Sequence, residues 1–493
     1  MNRKPTISAP DPIEYQAPNE FTIGGQTYIT ETRSYKLITP LFGGGVEAGV
    51  NDPITRIRAS GIRGQLRFWW RAIRGGSTDP NFTDSQRLDD MRQREAEIWG
   101  SASTSSSSEK KKVNQDSSNL VDDQNQENNK LKNIIPIQIS VEIISDGEEQ
   151  KPYEIRMTKG KFNAYGLSEV AHEYASFPIK PDRETVKKYG MQTPIKTIRN
   201  EVIFNLKITY HKGIKIEVDA TLWAWETFGG IGGRTRRGFG SVTRCDNKEH
   251  PKNANNFKSW LLGNYTKYYK NTYFHPDLPI LGDISNSNRF KIFYKTGKQG
   301  LFGMWRDLIE KLKYFRQAKN TNGTSLWPEP NQIRRITKQH LKHHNPDNVQ
   351  ASPQYKIIKA FPRAQFGLPI IFQFKGNRYG SNRKDLDPRP TTLGLVNPND
   401  STKDNERLAS PLILKTFQCA NGDLIGLAFI LSGTELSPKM KLSLKASVHP
   451  ISPKPEDLRF LLRADEVLNI NSISVEGNIL EAFLAYLKEK MPK

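Results

Sequence analysis

Val218-Asp-Ala-Thr-Leu-Trp-Ala-Trp-Glu-Thr-Phe228 runs straight into Gly229-Gly-Ile-Gly-Gly-Arg-Thr-Arg-Arg-Gly-Phe-Gly240, and Phe239-Gly-Ser-Val-Thr243 closes the stretch. The first block predicts a helix over 218–228, which Gly229 and Gly230 stop. The last block predicts a short strand over 239–243. Working upstream, residues 202–210 and 134–144 read as strands, 60–74 as a helix and 32–39 as extended chain. The order is strand, helix, strand, strand, helix, strand. That is the split βαβ, ferredoxin-like order, the layout of RRM-type RNA binders.

Downstream of Cys245, residues 257–274 interleave seven aromatics with lysines and read as a link between two halves. A second unit opens with a strand at 289–294. A helix over 301–316 follows, with Phe302, Trp305, Leu308, Ile309, Leu312 and Phe315 at helical spacing. Strands are expected at 369–374, 412–417 and 424–431, and a closing helix at 477–490. Between the early elements, residues 101–133 are Ser, Glu, Lys, Asn, Asp and Gln with almost no apolar residue to bury. They read as a disordered insertion. The expected organisation is a flexible segment 1–25, a first domain 26–245 carrying the insertion 101–133, a linker 246–288 and a second domain 289–493. The fold class is α+β, with two ferredoxin-like domains.

Lys and Arg number 73 against 52 Asp and Glu, for a formal charge of +21 over 493 residues. Such a field attracts polyanions. A spanning helix needs roughly 20 apolar residues, and the longest run, 424–431, is strand-sized, so nucleic acid is the expected partner and membrane is not. The polar, proline-containing start has no secretory pattern, and the cytoplasm is the expected location. Two cysteines, Cys245 and Cys419, exclude a disulfide framework or a cysteine zinc site.

Two segments concentrate the positive charge. Between Pro53 and Ser77 stand six arginines, Arg56, Arg58, Arg63, Arg67, Arg71 and Arg74, and no acidic residue. At about 100° per residue, Arg63, Arg67, Arg71 and Arg74 share an arc of roughly 80°. Ile62, Leu66, Trp69, Trp70 and Ile73 lie on another side. Four like charges in that arc repel, so something anionic must compensate: acidic groups from elsewhere in the fold, or phosphates. The second segment is the glycine loop. Gly232, Gly233 and Gly238 let backbone N–H groups approach a ligand, and Arg234, Arg236 and Arg237 supply planar phosphate donors. It is no Walker loop, since no Gly-Lys-Ser/Thr follows and the glycines come after a helix and before a strand. Gly43 to Ala48 formally fits a dinucleotide fingerprint, but Gly49, Asn51 and Pro53 prevent the helix that would receive a pyrophosphate.

Leu37-Ile-Thr-Pro-Leu-Phe-Gly-Gly-Gly45, Ile57-Arg-Ala-Ser-Gly-Ile-Arg-Gly-Gln-Leu-Arg-Phe-Trp-Trp-Arg71, Glu97-Ile-Trp-Gly-Ser101, the glycine loop and Arg407-Leu-Ala-Ser-Pro-Leu412 together resemble the RAMP-superfamily subunit encoded first in the type III-B (Cmr) CRISPR-Cas effector module. The resemblance covers about residues 30–100, 195–245 and a patch near 410. It implies two ferredoxin-like RAMP domains and a place at one end of a crRNA-guided ribonucleoprotein. There the subunit helps capture target RNA in antiviral defence. RNA, target or crRNA, and other Cmr subunits are the implied partners, and target cleavage belongs to other subunits.

No catalytic constellation is apparent. His340, His343 and His344 cluster on a basic stretch that reads as a solvated helix, while His172 and His211 read as structural. Asp89-Asp90, Asp122-Asp123 and Asp465-Glu466 sit in polar segments, unlike the ordered carboxylates of a two-metal nuclease. The expectation is an RNA binder without cofactor or metal. The alternative is a metal-independent CRISPR RNA-processing endoribonuclease of the same superfamily.

Overall fold

The computed structural model describes residues 19–47, 49–101, 135–246, 249–270, 272–295, 302–321, 323–347, 358–374, 387–396, 404–436, 440–446 and 458–491. Apart from Ser101, the insertion expected over 101–133 lies outside the described residues. The protein is α+β. It opens with β1 (Glu20–Ile23), β2 (Gln26–Leu37), α1 (Ala59–Arg74), α2 (Asp84–Trp99) and β3 (Gln138–Ser145). An excursion follows: β4 (Glu148–Gln150), β5 (Tyr153–Thr158), β6 (Lys161–Gly166), α3 (Glu173–Ser176), α4 (Arg183–Tyr189) and β7 (Ile198–Asn200). β8 (Ile203–His211), α5 (Lys215–Phe228) and β9 (Val242–Arg244) complete the first half.

β9, β2, β8 and β3 lie side by side in that order, every pair antiparallel. This is the order a βαββαβ chain makes, with its first and third strands central. β1, expected to be part of a flexible segment, pairs with the start of β2 instead. β8 alternates Phe204, Leu206, Ile208 and Tyr210, all buried, with Asn205, Lys207 and Thr209 on the other face. α1 and α5 cover the buried face: Ile62, Leu66, Trp69, Trp70 and Ile73 share one core with Leu222 and Trp225. Trp69 and Trp70 are therefore core residues rather than stacking platforms. The middle of the open face carries Thr32, Ser34, Ser140, Glu142, Asn205 and Lys207. No ring stands there; the rings of this face, Phe21, Tyr28 and His211, gather at one end of the sheet.

α2 has little apolar character, yet its start is written in the chain. The Thr83 hydroxyl accepts from the Gln86 N–H (3.3 Å), and the Gln86 side chain accepts from the Thr83 N–H (2.8 Å). This reciprocal cap satisfies two amides that helix geometry leaves unpaired. The sequence reading passed over it.

The second half comprises α6 (Ala254–Tyr268), β10 (Phe290–Lys295), α7 (Gly303–Arg316), α8 (Glu329–Thr337), β11 (Ile370–Phe372), β12 (Thr391–Val396) and β13 (Asp404–Glu406). β14 (Leu412–Gln418), β15 (Leu424–Ile430), β16 (Leu442–Ala446), β17 (Leu468–Ile470), β18 (Ile473–Val475) and α9 (Ile479–Lys490) follow. The stretch read as a linker holds a packed helix: Phe257 and Leu261 of α6 are buried, and the Phe257 ring lies 5.1 Å from that of Phe417. β10, β15 and β14 form a three-stranded antiparallel sheet. With α7 and α9 this repeats the first half's order except that, among the described residues, no fourth strand follows α9 to flank β10. β11, β12, β13 and β16 form a separate sheet.

The second sheet is covered on both faces. Ile413, Phe417, Ile425, Leu427 and Phe429 join the core of the first half, while Leu412, Leu414, Ala428 and Ile430 face the core built by α7 and α9. Every residue of β15 is buried, which is why its sequence, Leu424 to Ile430, is continuously apolar instead of alternating. A charged group enters this interface: the Lys415 ammonium, fully buried, donates to the Gly229 carbonyl at the end of α5.

Candidate nucleic-acid interface

The arginine face of α1 finds its partners within the fold. Arg67 and Arg71 both pair with Glu95 of α2, whose side chain is 7% exposed. Arg74 pairs with Glu217 of α5 and also donates to the Tyr268 carbonyl (3.3 Å). Arg63 donates to the carbonyls of Trp99 (3.2 Å) and Ile137 (3.0 Å). Arg58 pairs with Asp52, and Arg56 faces Asp146 at 3.4 Å. Of the two ways to compensate six arginines, the structure uses carboxylates and carbonyls brought in by other elements. Arg63 and Arg67 still edge an open depression, where Ala59, Ser60 and Gly64 leave space over Ile139.

The glycine loop is not a free turn. It is wedged between the two halves. The Gly240 N–H donates to the Pro40 carbonyl (2.8 Å), the Gly233 N–H to the Phe42 carbonyl (2.7 Å), and the Trp305 indole of α7 to the Arg237 carbonyl (2.8 Å). Two glycines are required by close approach. At Gly240 (φ +65°) a Cβ would lie 1.9 Å from the Ile231 oxygen, and at Gly238 (φ +77°) 2.7 Å from the Trp305 ring. Gly232 is exposed and meets exposed Gly44, so the loop after β2 and the loop after α5 form one surface.

The loop arginines are half-buried in the seam. Arg236 donates to the Ser410 carbonyl, and Arg237 to the Ser410 hydroxyl (3.5 Å) and the Phe366 carbonyl (3.4 Å). Arg234 lies over the Phe42 ring at 5.8 Å and Arg236 over Phe68 at 5.8 Å. A fourth guanidinium joins them: Arg316, at the end of α7, donates to the Tyr174 hydroxyl (2.9 Å) and lies over Phe366 at 5.2 Å. Among the described residues, none of the four pairs with a carboxylate. Burial, then the neighbouring Arg316, pushes the Arg237 guanidinium down to about 9, and burial lowers Arg234 and Arg236 too. They remain cations at neutral pH, held where a cation is unfavourable. The sequence reading missed Arg316, since nothing in its own helix sets it apart from the other basic residues.

His344, His172 and His211 have structural partners. His344 bonds Asp387 (2.7 Å), which also holds Arg334 (2.8 Å). Arg334 is buried on α8, which ends at Thr337, while Lys338, Gln339 and Lys342 are exposed, so only the start of the stretch read as a solvated helix is α-helical and packed. His172 accepts from the Tyr174 N–H (3.2 Å), and His211 bonds Gln26 (2.7 Å). Among the described residues, no group of three His, Cys, Asp or Glu side chains is placed to hold a metal ion. No described helix is long and apolar enough to cross a membrane.

Residues 34–243, from β2 through the glycine loop to β9, match the model of the RAMP superfamily. Among solved structures, the chain is similar to Cmr1 from Pyrococcus furiosus in its apo form, at 15% identity and a TM-score of 0.42, covering 94% of this chain and 97% of that one. It is also similar to a chain of the type III-B Cmr-β complex bound to cognate target RNA, at 12% identity and a TM-score of 0.41, covering 93% and 99%. No curated protein matches the sequence.

Proposed function

We propose that this chain is a non-catalytic, RNA-binding subunit of a type III-B CRISPR ribonucleoprotein, acting in the cytoplasm beside other Cmr subunits to help capture target RNA. Its two halves, 26–245 and 289–493, are two ferredoxin-like units, the second showing three strands of its sheet among the described residues. The sequence motifs and the RAMP domain support the assignment to this class of complex. One observation carries the site: among the described residues, Arg234, Arg236, Arg237 and Arg316 converge on the seam with no carboxylate, whereas Arg67, Arg71 and Arg74 of α1 have theirs. A sugar-phosphate backbone lying along the seam, over Gly44, Gly232 and Gly233, supplies the missing negative charge. The α1 arginines then act mainly as structural ties.

Binding of single-stranded RNA measured by anisotropy across a salt series tests this. Arg237 makes two hydrogen bonds to the other half against one from Arg236, so the variant is Arg234→Gln with Arg236→Gln, read beside its melting temperature. The magnitude of the log-log salt slope is expected to fall by about 1.4, at roughly 0.7 per phosphate contact on a single strand. An unchanged slope with an unchanged melting temperature would remove the seam from the RNA track. The RNA is expected to be recovered intact after incubation in EDTA. Discrete cleavage products would favour the endoribonuclease alternative.

A further inference from the structure

We infer that the four guanidiniums of the seam form a discrete site for a phosphate monoester, the terminal phosphate of an RNA strand, rather than one more stop for an internal phosphodiester. This rests on the RNA-binding reading above and narrows it. The site is built from three places in the chain: Arg234, Arg236 and Arg237 from the glycine loop, Arg316 from the end of α7, and the Tyr174 hydroxyl from α3. Aromatic rings line it, with Phe42 under Arg234, Phe68 under Arg236 and Phe366 under Arg316. Such stacking fixes planar cations while leaving their N–H edges to a ligand. The Nε atoms of Arg234 and Arg316 are buried and, among the described residues, have no hydrogen-bond partner.

The charge balance favours a strand end. An internal phosphodiester carries a single negative charge, offers two free oxygens and needs room for the chain to leave on both sides. A terminal phosphate carries about −1.5 to −2 near neutral pH and presents three free oxygens. Four half-buried cations drawn from opposite walls of a seam match the second ligand in charge and in number of acceptors. Guanidinium forks on a phosphate are the strongest class of such bonds.

The test compares one single-stranded RNA sequence carrying a 5′-phosphate, a 3′-phosphate or hydroxyls at both ends. The full chain is used, with a nucleoside monophosphate as competitor. One phosphorylated form is expected to bind roughly tenfold tighter than the hydroxyl-ended strand, the order of one added charge-assisted hydrogen bond. Arg316→Gln is expected to abolish that preference, weakening the phosphorylated strand at least about tenfold more than the hydroxyl-ended one, and Arg316→Lys to restore part of it. Tighter binding of the monophosphate than of the phosphorylated strand would place the site on free nucleotides and overturn the assignment to a strand end. Equal affinity for all three strands would overturn the inference and leave RNA binding standing. A preference that survives in Arg316→Gln, with melting temperature unchanged, would overturn the site. Failure of every strand to bind would overturn the RNA-binding reading itself.

Discussion

Replacing Glu95 by Gln separates the structural role of the α1 arginines from a direct role on RNA. Glu95 is 7% exposed and holds two arginines whose side chains are 34% and 27% exposed, Arg67 and Arg71. Breaking a fully buried ion pair costs about 3–5 kcal/mol, and an exposed pair contributes about 0–1 kcal/mol. With the acid buried and both cations partly in solvent, the loss falls between these limits, at about 2 kcal/mol, since Gln keeps one acceptor oxygen. At roughly 2–4 °C per kcal/mol for a unit of this size, the first transition is expected to fall by about 4–8 °C. Differential scanning calorimetry reads this directly. The variant also raises the local charge by one. If the α1 face stays off the RNA path, the salt slope is unchanged. A steeper slope with tighter binding would show that Arg67 and Arg71 reach phosphates, and an unchanged melting temperature would show that the Glu95 pairs contribute nothing; either would refute the assignment of this face to structure.

Gly240→Ala places a methyl 1.9 Å from the Ile231 oxygen at a backbone φ of +65°. Left-handed backbone alone costs about 1–2 kcal/mol, and relieving the clash must move the loop. A lower melting temperature together with weakened RNA binding is the expected result, and native affinity would show that the loop conformation is not needed. Lys415 gives a pH signature. Burial holds its ammonium down to about 7 in the folded protein against an ordinary value of 10.5. Between those values the unfolded chain binds a proton that the folded chain lacks, so stability rises with pH, with a contribution of about 1.4 kcal/mol per unit. Denaturant unfolding at pH 7 and pH 9 is expected to show this slope in the native sequence and its loss in Lys415→Met. Equal slopes would mean that Lys415 keeps its proton.

The sequence by itself determined the elements and the chemistry available to them. Alternation in 202–210, the amphipathic pattern of 60–74 and the glycine stop after Phe228 are local signals, and the structure has β8, α1 and α5 there. The helical spacing from Phe302 to Phe315 likewise marks α7, whose Trp305, Leu308, Ile309, Leu312 and Phe315 are all buried. These patterns are legible because periodicity reports burial within one element. What the tertiary structure decided was the partner of each charge. Glu95 reaches Arg67 and Arg71 from α2, and Glu217 reaches Arg74 from α5. Ser410, Phe366 and Arg316 come to the glycine loop from the other half. Ion pairs and close backbone contacts depend on which elements pack together, and helical spacing says only which side of an element a residue occupies. Two runs of arginine therefore look alike in the sequence, and only packing gives one of them carboxylate partners and leaves the other, among the described residues, without one.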